Sequence, residues 1–302
     1  LARRTDLRLH LPVPDGGEAK RVRRAMVEAG VHGSGVTVTH VPPGPLPYRE
    51  GFANVVVCTG DFFAGPPAVP AEDVARLVKP CGGWLLLEKP AGAKEPPAEM
   101  QAWMKAVLED LRRSGKADPE AVADRWVALR RGALDDTGTW THEYGDAGNT
   151  GSSDDGRVRG PLGILWYGRP GPAEMPSRHA SAASPLAIGG RLFVQGENVL
   201  MAYDAYNGVE LWRRKIEGAI RLGLKTRASN LAARPDSVFV AVLGHCLRLD
   251  AATGKTLRQY NCPKGEGSQS WRYIAVDGDR LFGCTQGGLI FAFDVPSGDV
   301  LW

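Results

Sequence analysis

The sequence predicts a multidomain chain: an α/β domain with a mostly parallel sheet, followed by all-β propeller blades. Two observations carry this reading. A phrase of apolar strand, Asp, three residues and Gly recurs at Asp204/Gly208, Asp250/Gly254 and Asp294/Gly298. The Asp-to-Asp steps are 46 and 44 residues, a period that marks a propeller or solenoid array. Before residue 135 the rhythm is different, with apolar strands alternating with helical segments, the pattern of a mostly parallel sheet.

In chain order, Leu7–Val13 reads as a strand and Glu18–Ala29 as a helix, with Val22, Ala25, Met26 and Ala29 on one face and Gly30 past its end. Val36–Thr39 and Ala53–Cys58 read as strands. The unbroken apolar run of the second suits a strand covered on both faces. Glu72–Lys79 is a short helix stopped by Pro80, and Cys81-Gly82-Gly83 turns the chain into a strand at Trp84–Leu87. Met100–Arg113 carries an apolar stripe of Met100, Trp103, Met104, Val107, Leu108 and Leu111. Arg125–Leu129 closes the series as a strand. Asp135–Thr139 and Asn149–Gly160 have linker composition. The expected domains are therefore 1–134, a linker and opening segment over 135–160, and repeats over 161–302.

Each repeat opens on a short strand, at Arg191–Val194, Ser237–Val240 and Arg280–Phe282. Short loops then lead to a second strand that ends at the Asp, giving a β-hairpin. The Asp carboxylate accepts hydrogen bonds from the turn amides after it, and Gly208, Gly254 and Gly298 supply the positive φ of the turn. A third strand returns to Trp212, Arg258 and Trp302. Asp204, Asp250 and Asp294 admit a second reading as calcium ligands or bases, but recurrence at one turn position favours caps. Trp212 and Trp302 likewise favour packing between sheets over stacking on a cofactor.

Composition narrows the function classes. The chain has 302 residues, 43% of them apolar and 24% charged, which is ordinary for a globular protein. A net charge of +3 with scattered Lys and Arg argues against nucleic acid as a partner. No run reaches the roughly 18 apolar residues of a membrane span. Five cysteines, an odd number, imply no disulfide framework, and neither they nor His142 and His245 have metal-ligand spacing. No metal site is expected, and no catalytic residue is assigned. Arg178 and His179, in Met175-Pro-Ser-Arg-His179, form the one loop cluster of the repeat half that resembles a site, with an ordinary connecting loop as the alternative.

The repeat over 140–302 resembles that of pyrroloquinoline-quinone-type β-propellers. Trp140–Thr150 resembles their opening segment, and Leu165-Trp166 a further blade end. At roughly 40 residues each, about four blades are expected, in a ring left incomplete at Trp302. The resemblance implies a fold shared by quinone-dependent dehydrogenases, outer-membrane assembly scaffolds and interaction modules.

Leu77-Val-Lys-Pro-Cys-Gly-Gly-Trp-Leu-Leu86 resembles a turn and strand of class I S-adenosylmethionine-dependent methyltransferases. Residues 5–133 are similar to that Rossmann-like fold from its second strand onward, without the first cofactor-binding loop. The resemblance implies a ribose-binding carboxylate where this chain has Val13 or, displaced, Asp15. It implies an acidic residue near the adenine where this chain has Val41-Pro-Pro-Gly44. Asn54 stands where the fourth strand often begins with Asp. Asp61 reads as a substrate-orienting or a solvated loop residue. The expected function is a non-catalytic scaffold that binds a protein partner through propeller surface or loops, joined to a degenerate methyltransferase-like domain. The alternatives are an active methyltransferase that uses S-adenosylmethionine, and a dehydrogenase that uses pyrroloquinoline quinone.

Overall fold

The structure is a computed structural model, and it describes residues 5, 7–33, 35–59, 69–92, 95–121, 125–169, 174–175, 183–219, 229–264 and 270–302. The chain divides into two compact units, Leu1–Gly132 and Ala133–Trp302.

In the first unit, β1 (Leu9–Val13) leads through α1 (Gly16–Glu28) to β2 (Val36–His40), and the two strands pair in parallel. β3 (Val55–Cys58), α2 (Ala71–Leu77), β4 (Gly83–Glu88), α3 (Ala98–Arg113), β5 (Gly115–Ala121) and β6 (Trp126–Leu134) follow. Their sheet has the order β3-β4-β6-β5. Its core is Val74, Val78, Leu85, Leu87, Met100, Trp103, Val107, Leu111 and Leu129, so the predicted α3 stripe faces the sheet. Trp103 Nε1 donates to the Val69 carbonyl at 3.1 Å, which satisfies the polar end of a buried ring.

Three expectations are corrected here. The sheet is mixed, because β4 pairs β3 in parallel but β6 antiparallel. The connection from β5 to β6 is too short for the crossover that a parallel return needs, so β6 comes back in the opposite direction. β3 is not covered on both faces: it is the edge of its sheet, and Val55 and Val57 are 44% and 51% exposed. α1 starts before the predicted Glu18, because Asp15 caps it. The Asp15 carboxylate accepts from the Glu18 amide at 2.6 Å.

The second unit holds many antiparallel strands in propeller-like sheets. The first comprises β7 (Leu186–Ile188), β8 (Arg191–Gly196), β9 (Val199–Asp204) and β10 (Glu210–Lys215). The second comprises β11 (Leu231–Ala233), β12 (Ser237–Val242), β13 (His245–Asp250) and β14 (Thr256–Asn261). The third comprises β15 (Trp271–Asp277), β16 (Arg280–Thr285) and β17 (Ile290–Asp294). Each runs in sequence order, and the described pairings are antiparallel. Residues 299–302 begin a fourth strand on the third sheet: the Leu301 amide donates to the Ala292 carbonyl, and the Ala292 amide to the Trp302 carbonyl.

One buried apolar layer joins the first and second sheets through Phe193, Leu200, Val238, Val240 and Leu249. Another joins the second and third through Phe239, Tyr260, Trp271, Ile274 and Phe293. Among the described residues there are three sheets where about four blades were expected. Residues 137–167 hold turns and isolated bridges and no strand of a described sheet.

Candidate functional site

The three Asp positions share one geometry. Asp204 Oδ1 accepts from the Tyr206 amide at 3.0 Å, and Asp250 Oδ1 from the amides of Ala252 and Thr253 at 3.1 and 2.8 Å. Asp294 Oδ1 accepts from the Ser297 amide at 2.8 Å. In each turn the Gly amide donates back to the Asp carbonyl. The Thr253 hydroxyl, donating at 2.7 Å, holds the Asp250 carboxyl below the usual range, and the Ser297 amide does the same for Asp294. These carboxylates are engaged in closing their own turns.

Gly208, Gly254 and Gly298 have φ of 72°, 69° and 81°, and a neighbouring side chain occupies the space a Cβ would take. That Cβ would lie 2.4 Å from the Trp166 ring at Gly208, 2.7 Å from the Trp212 ring at Gly254, and 2.6 Å from the Arg258 guanidinium at Gly298. Each of these side chains also donates to a carbonyl just past the Asp. Trp166 Nε1 bonds Ala205 O at 2.9 Å, Trp212 Nε1 bonds Ala251 O at 3.0 Å, and Arg258 Nη2 bonds Pro296 O at 3.0 Å. The side chain ending one repeat thus lies over the turn of the next. Trp302, 61% exposed, lies beside Phe282, with ring centroids 6.4 Å apart.

The opening segment does something its sequence did not announce. Trp140 exchanges backbone bonds with Ala187 of β7, both at 2.8 Å. The Ala233 amide of β11 donates to the Thr141 carbonyl at 2.9 Å. The Val276 amide of β15 donates to His142 Nε2 at 3.0 Å. Residues 140–142 therefore touch the first strand of all three sheets in succession. Because His142 Nε2 accepts, the ring proton sits on Nδ1, which faces Thr141 Oγ1 at 2.8 Å. Burial holds this imidazole below its ordinary value, partly offset by Asp146 and Asp277. Glu143, also buried, accepts from the Ser184 amide at 3.1 Å. A lone His with no metal spacing gave no hint of this clasp in the sequence.

The remaining candidates do not converge on one place. Asp15 caps α1 as described. Asp61, Arg178 and His179 lie outside the described residues. Cys58 and Cys246 are buried thiols; burial pushes Cys58 up to about 12 and raises Cys246 as well. Among the described residues no group of three or more His, Cys, Asp or Glu gathers as for a metal. A shallow pocket lined by Asp277, Asp279, Arg280, Asp294 and Leu301 lies at the turn edge of the third sheet. No helix is long and apolar enough to cross a membrane, among the described residues.

A family model described as "Outer membrane protein assembly factor BamB" matches residues 170–302. No curated protein matches the chain. Similar solved structures include BamB from Moraxella catarrhalis, at 19% identity over 42% of this chain and 40% of that one, with a TM-score of 0.34. A europium-containing methanol dehydrogenase matches at 17% identity over 55% and 31%, with a TM-score of 0.40. Quinohemoprotein alcohol dehydrogenase from Comamonas testosteroni matches at 21% over 55% and 27%, with a TM-score of 0.41. The chain thus spans well under two thirds of the length of each of these proteins. None of these matches supports the methyltransferase resemblance of the first unit. Residues 170–302 are therefore similar to the propeller repeats of the BamB, pyrroloquinoline-quinone-like type.

Proposed function

We propose that the chain is a non-catalytic binding scaffold. Its propeller surface or loops receive a protein partner, and its first unit is a degenerate methyltransferase-like domain. The observation that carries this reading is the use to which the repeat residues are put. Asp204, Asp250 and Asp294 close turns, and Trp166 and Trp212 close the joints between repeats, so the side chains best suited to a cofactor serve the fold. The match to a family described as an assembly factor points the same way.

For the first unit, the support is its strand pattern. β1 and β3 each pair on one side only among the described strands, and both are apolar edge strands with exposed side chains. A methyltransferase-type sheet present from its second strand onward leaves two such edges, because its first strand lies between them. The residues present do not fit S-adenosylmethionine. Asp15 is used as a helix cap, and Val41-Pro42-Pro43-Gly44 offers no polar side chain to an adenine. Each unmet buried donor of a bound ribose would cost about 1–3 kcal/mol.

Calorimetric titration of the chain with S-adenosylmethionine tests the reading, and no saturable heat is expected. Micromolar binding would overturn the degenerate assignment in favour of an active methyltransferase. Dye-linked oxidation after reconstitution with pyrroloquinoline quinone and calcium would overturn the scaffold itself.

A further inference from the structure

Three amides, one on the first strand of each sheet, donate to the opening segment. Ala187 donates to the Trp140 carbonyl at 2.8 Å, Ala233 to the Thr141 carbonyl at 2.9 Å, and Val276 to His142 Nε2 at 3.0 Å. The first two acceptors are backbone oxygens, which do not titrate. The third is an imidazole nitrogen, and a proton placed there turns the acceptor into a donor. The bond to the third sheet thus differs in chemistry from the bonds to the first and second.

The surroundings of His142 suit the neutral ring. The residue is 3% exposed. Its Nδ1 faces Thr141 Oγ1 at 2.8 Å, and that hydroxyl lies 3.4 Å from the Gly145 carbonyl. One ring proton, on Nδ1, completes this relay from ring to hydroxyl to carbonyl. A second proton on Nε2 would face the Val276 N–H, donor against donor, in an interior where an unmet donor is costly.

The charges that act on the ring favour that second proton. They are Asp146 from its own loop and Asp277, the residue after Val276 in β15. Glu143, the next residue, is held by the Ser184 amide. β7 and β11 carry no titratable residue. β15 also carries Arg272 and Tyr273, and Arg280 stands opposite Asp277 in the β15–β16 ladder. Burial opposes the charge, so the ring takes up its proton below pH 6.5. The loop makes a second contact with β15, where Asn149 Nδ2 donates to the Tyr273 hydroxyl at 3.3 Å.

We infer that the opening segment is a strap with a proton-operated catch: protonation of His142 frees residues 142–149 from β15, while Trp140 and Thr141 stay bonded to β7 and β11. The strap then hangs from the first two sheets, and the Val276 amide is left as a donor on the inner edge of the third.

Amide exchange followed by NMR on the intact chain, between pH 7.5 and 4.5, tests the catch. Ala187 and Ala233 are internal controls, because the intrinsic effect of pH on exchange acts on all three amides alike. As the His142 ring titrates, exchange at Val276 relative to these two should rise at least about tenfold. A ring that titrates while the ratio stays flat, or that remains neutral to pH 4.5, overturns the inference. So does a common rise of all three amides, which would report general loosening of the sheets. His142→Gln keeps an acceptor that does not titrate, so Val276 should stay protected and the ratio flat across the range. A rise that persists in this variant would belong to another group and overturn the assignment. If the variant does not fold, the wild-type ratio decides alone.

Discussion

In the repeat unit, one contact set is used again and again: a side chain ending one repeat covers a left-handed Gly in the next and bonds a carbonyl beside an Asp-capped turn. In the first unit each buried polar contact occurs once. Arg131 is buried, with Nη1 donating to the Val78 carbonyl at 2.5 Å and Nη2 to Ser114 Oγ at 3.1 Å, and with Glu50 3.6 Å away. Asp73 accepts from the Leu46 amide at 2.6 Å and pairs with Arg76, whose guanidinium also donates to the carbonyls of Leu46 and Tyr48. The difference teaches where damage spreads. A lost joint in the repeat unit weakens one seam among several, while a lost clamp in the first unit has no duplicate.

The largest effect should therefore come from Arg131→Ala, which strands two acceptors in the interior. A loss of about 3–5 kcal/mol in denaturant unfolding is expected, and a loss below about 1 kcal/mol would erase the contrast. Next is Trp212→Ala, which removes a ring tilted against Phe193 at 6.0 Å and should cost about 3 kcal/mol. The exposed Trp302→Ala should cost under about 1 kcal/mol in the same assay. Equal losses would show that the seams do not differ by burial.

A finer comparison sets Gly254→Ala against Gly298→Ala. Both impose a left-handed residue, worth about 1–2 kcal/mol. Gly254→Ala also drives a Cβ into the fixed Trp212 ring, whereas at Gly298 the tip of Arg258 can swing aside. Thermal unfolding should place Gly254→Ala about 1 kcal/mol or more below Gly298→Ala.

The smallest effect is the pH response of His142. Its folded value lies below 6.5, so the unfolded chain takes up the proton first. The contribution is fully present above pH 6.5, is lost as pH falls from there toward the lowered folded value, and then levels off. His142→Gln, which keeps an acceptor for the Val276 amide, should flatten that response at a cost of about 1 kcal/mol, read from thermal melts between pH 7.5 and 5.

The same contrast explains what could be read in advance. Asp204, Asp250 and Asp294 interpret one another, because a role proposed for one has to hold at all three. Their turns, hairpins and strand order were legible for that reason. Arg258 was harder, since it does a Trp's work with a different chemistry, and only the preceding Leu257 marks its register. Nothing in the first unit repeats, so Ala53–Cys58 read as a strand covered on both faces when, among the described strands, it is the edge of its sheet. The reversal of β6 depends on a short connection that periodicity does not report. The His142 clasp was illegible because its partner is a backbone amide 134 residues away, which leaves no side-chain signature at either end.

That separation has a consequence for how the molecule is made. Residues 140–142 emerge from the ribosome long before β15, yet their last bond waits for Val276. During synthesis the opening segment can be tied sheet by sheet, Trp140 to β7, Thr141 to β11 and His142 last to β15. Pairings this remote slow folding, because the loop they close is long and its entropy is spent before any contact repays it. The segment that comes first in the repeat unit thus makes its last bond to the third sheet.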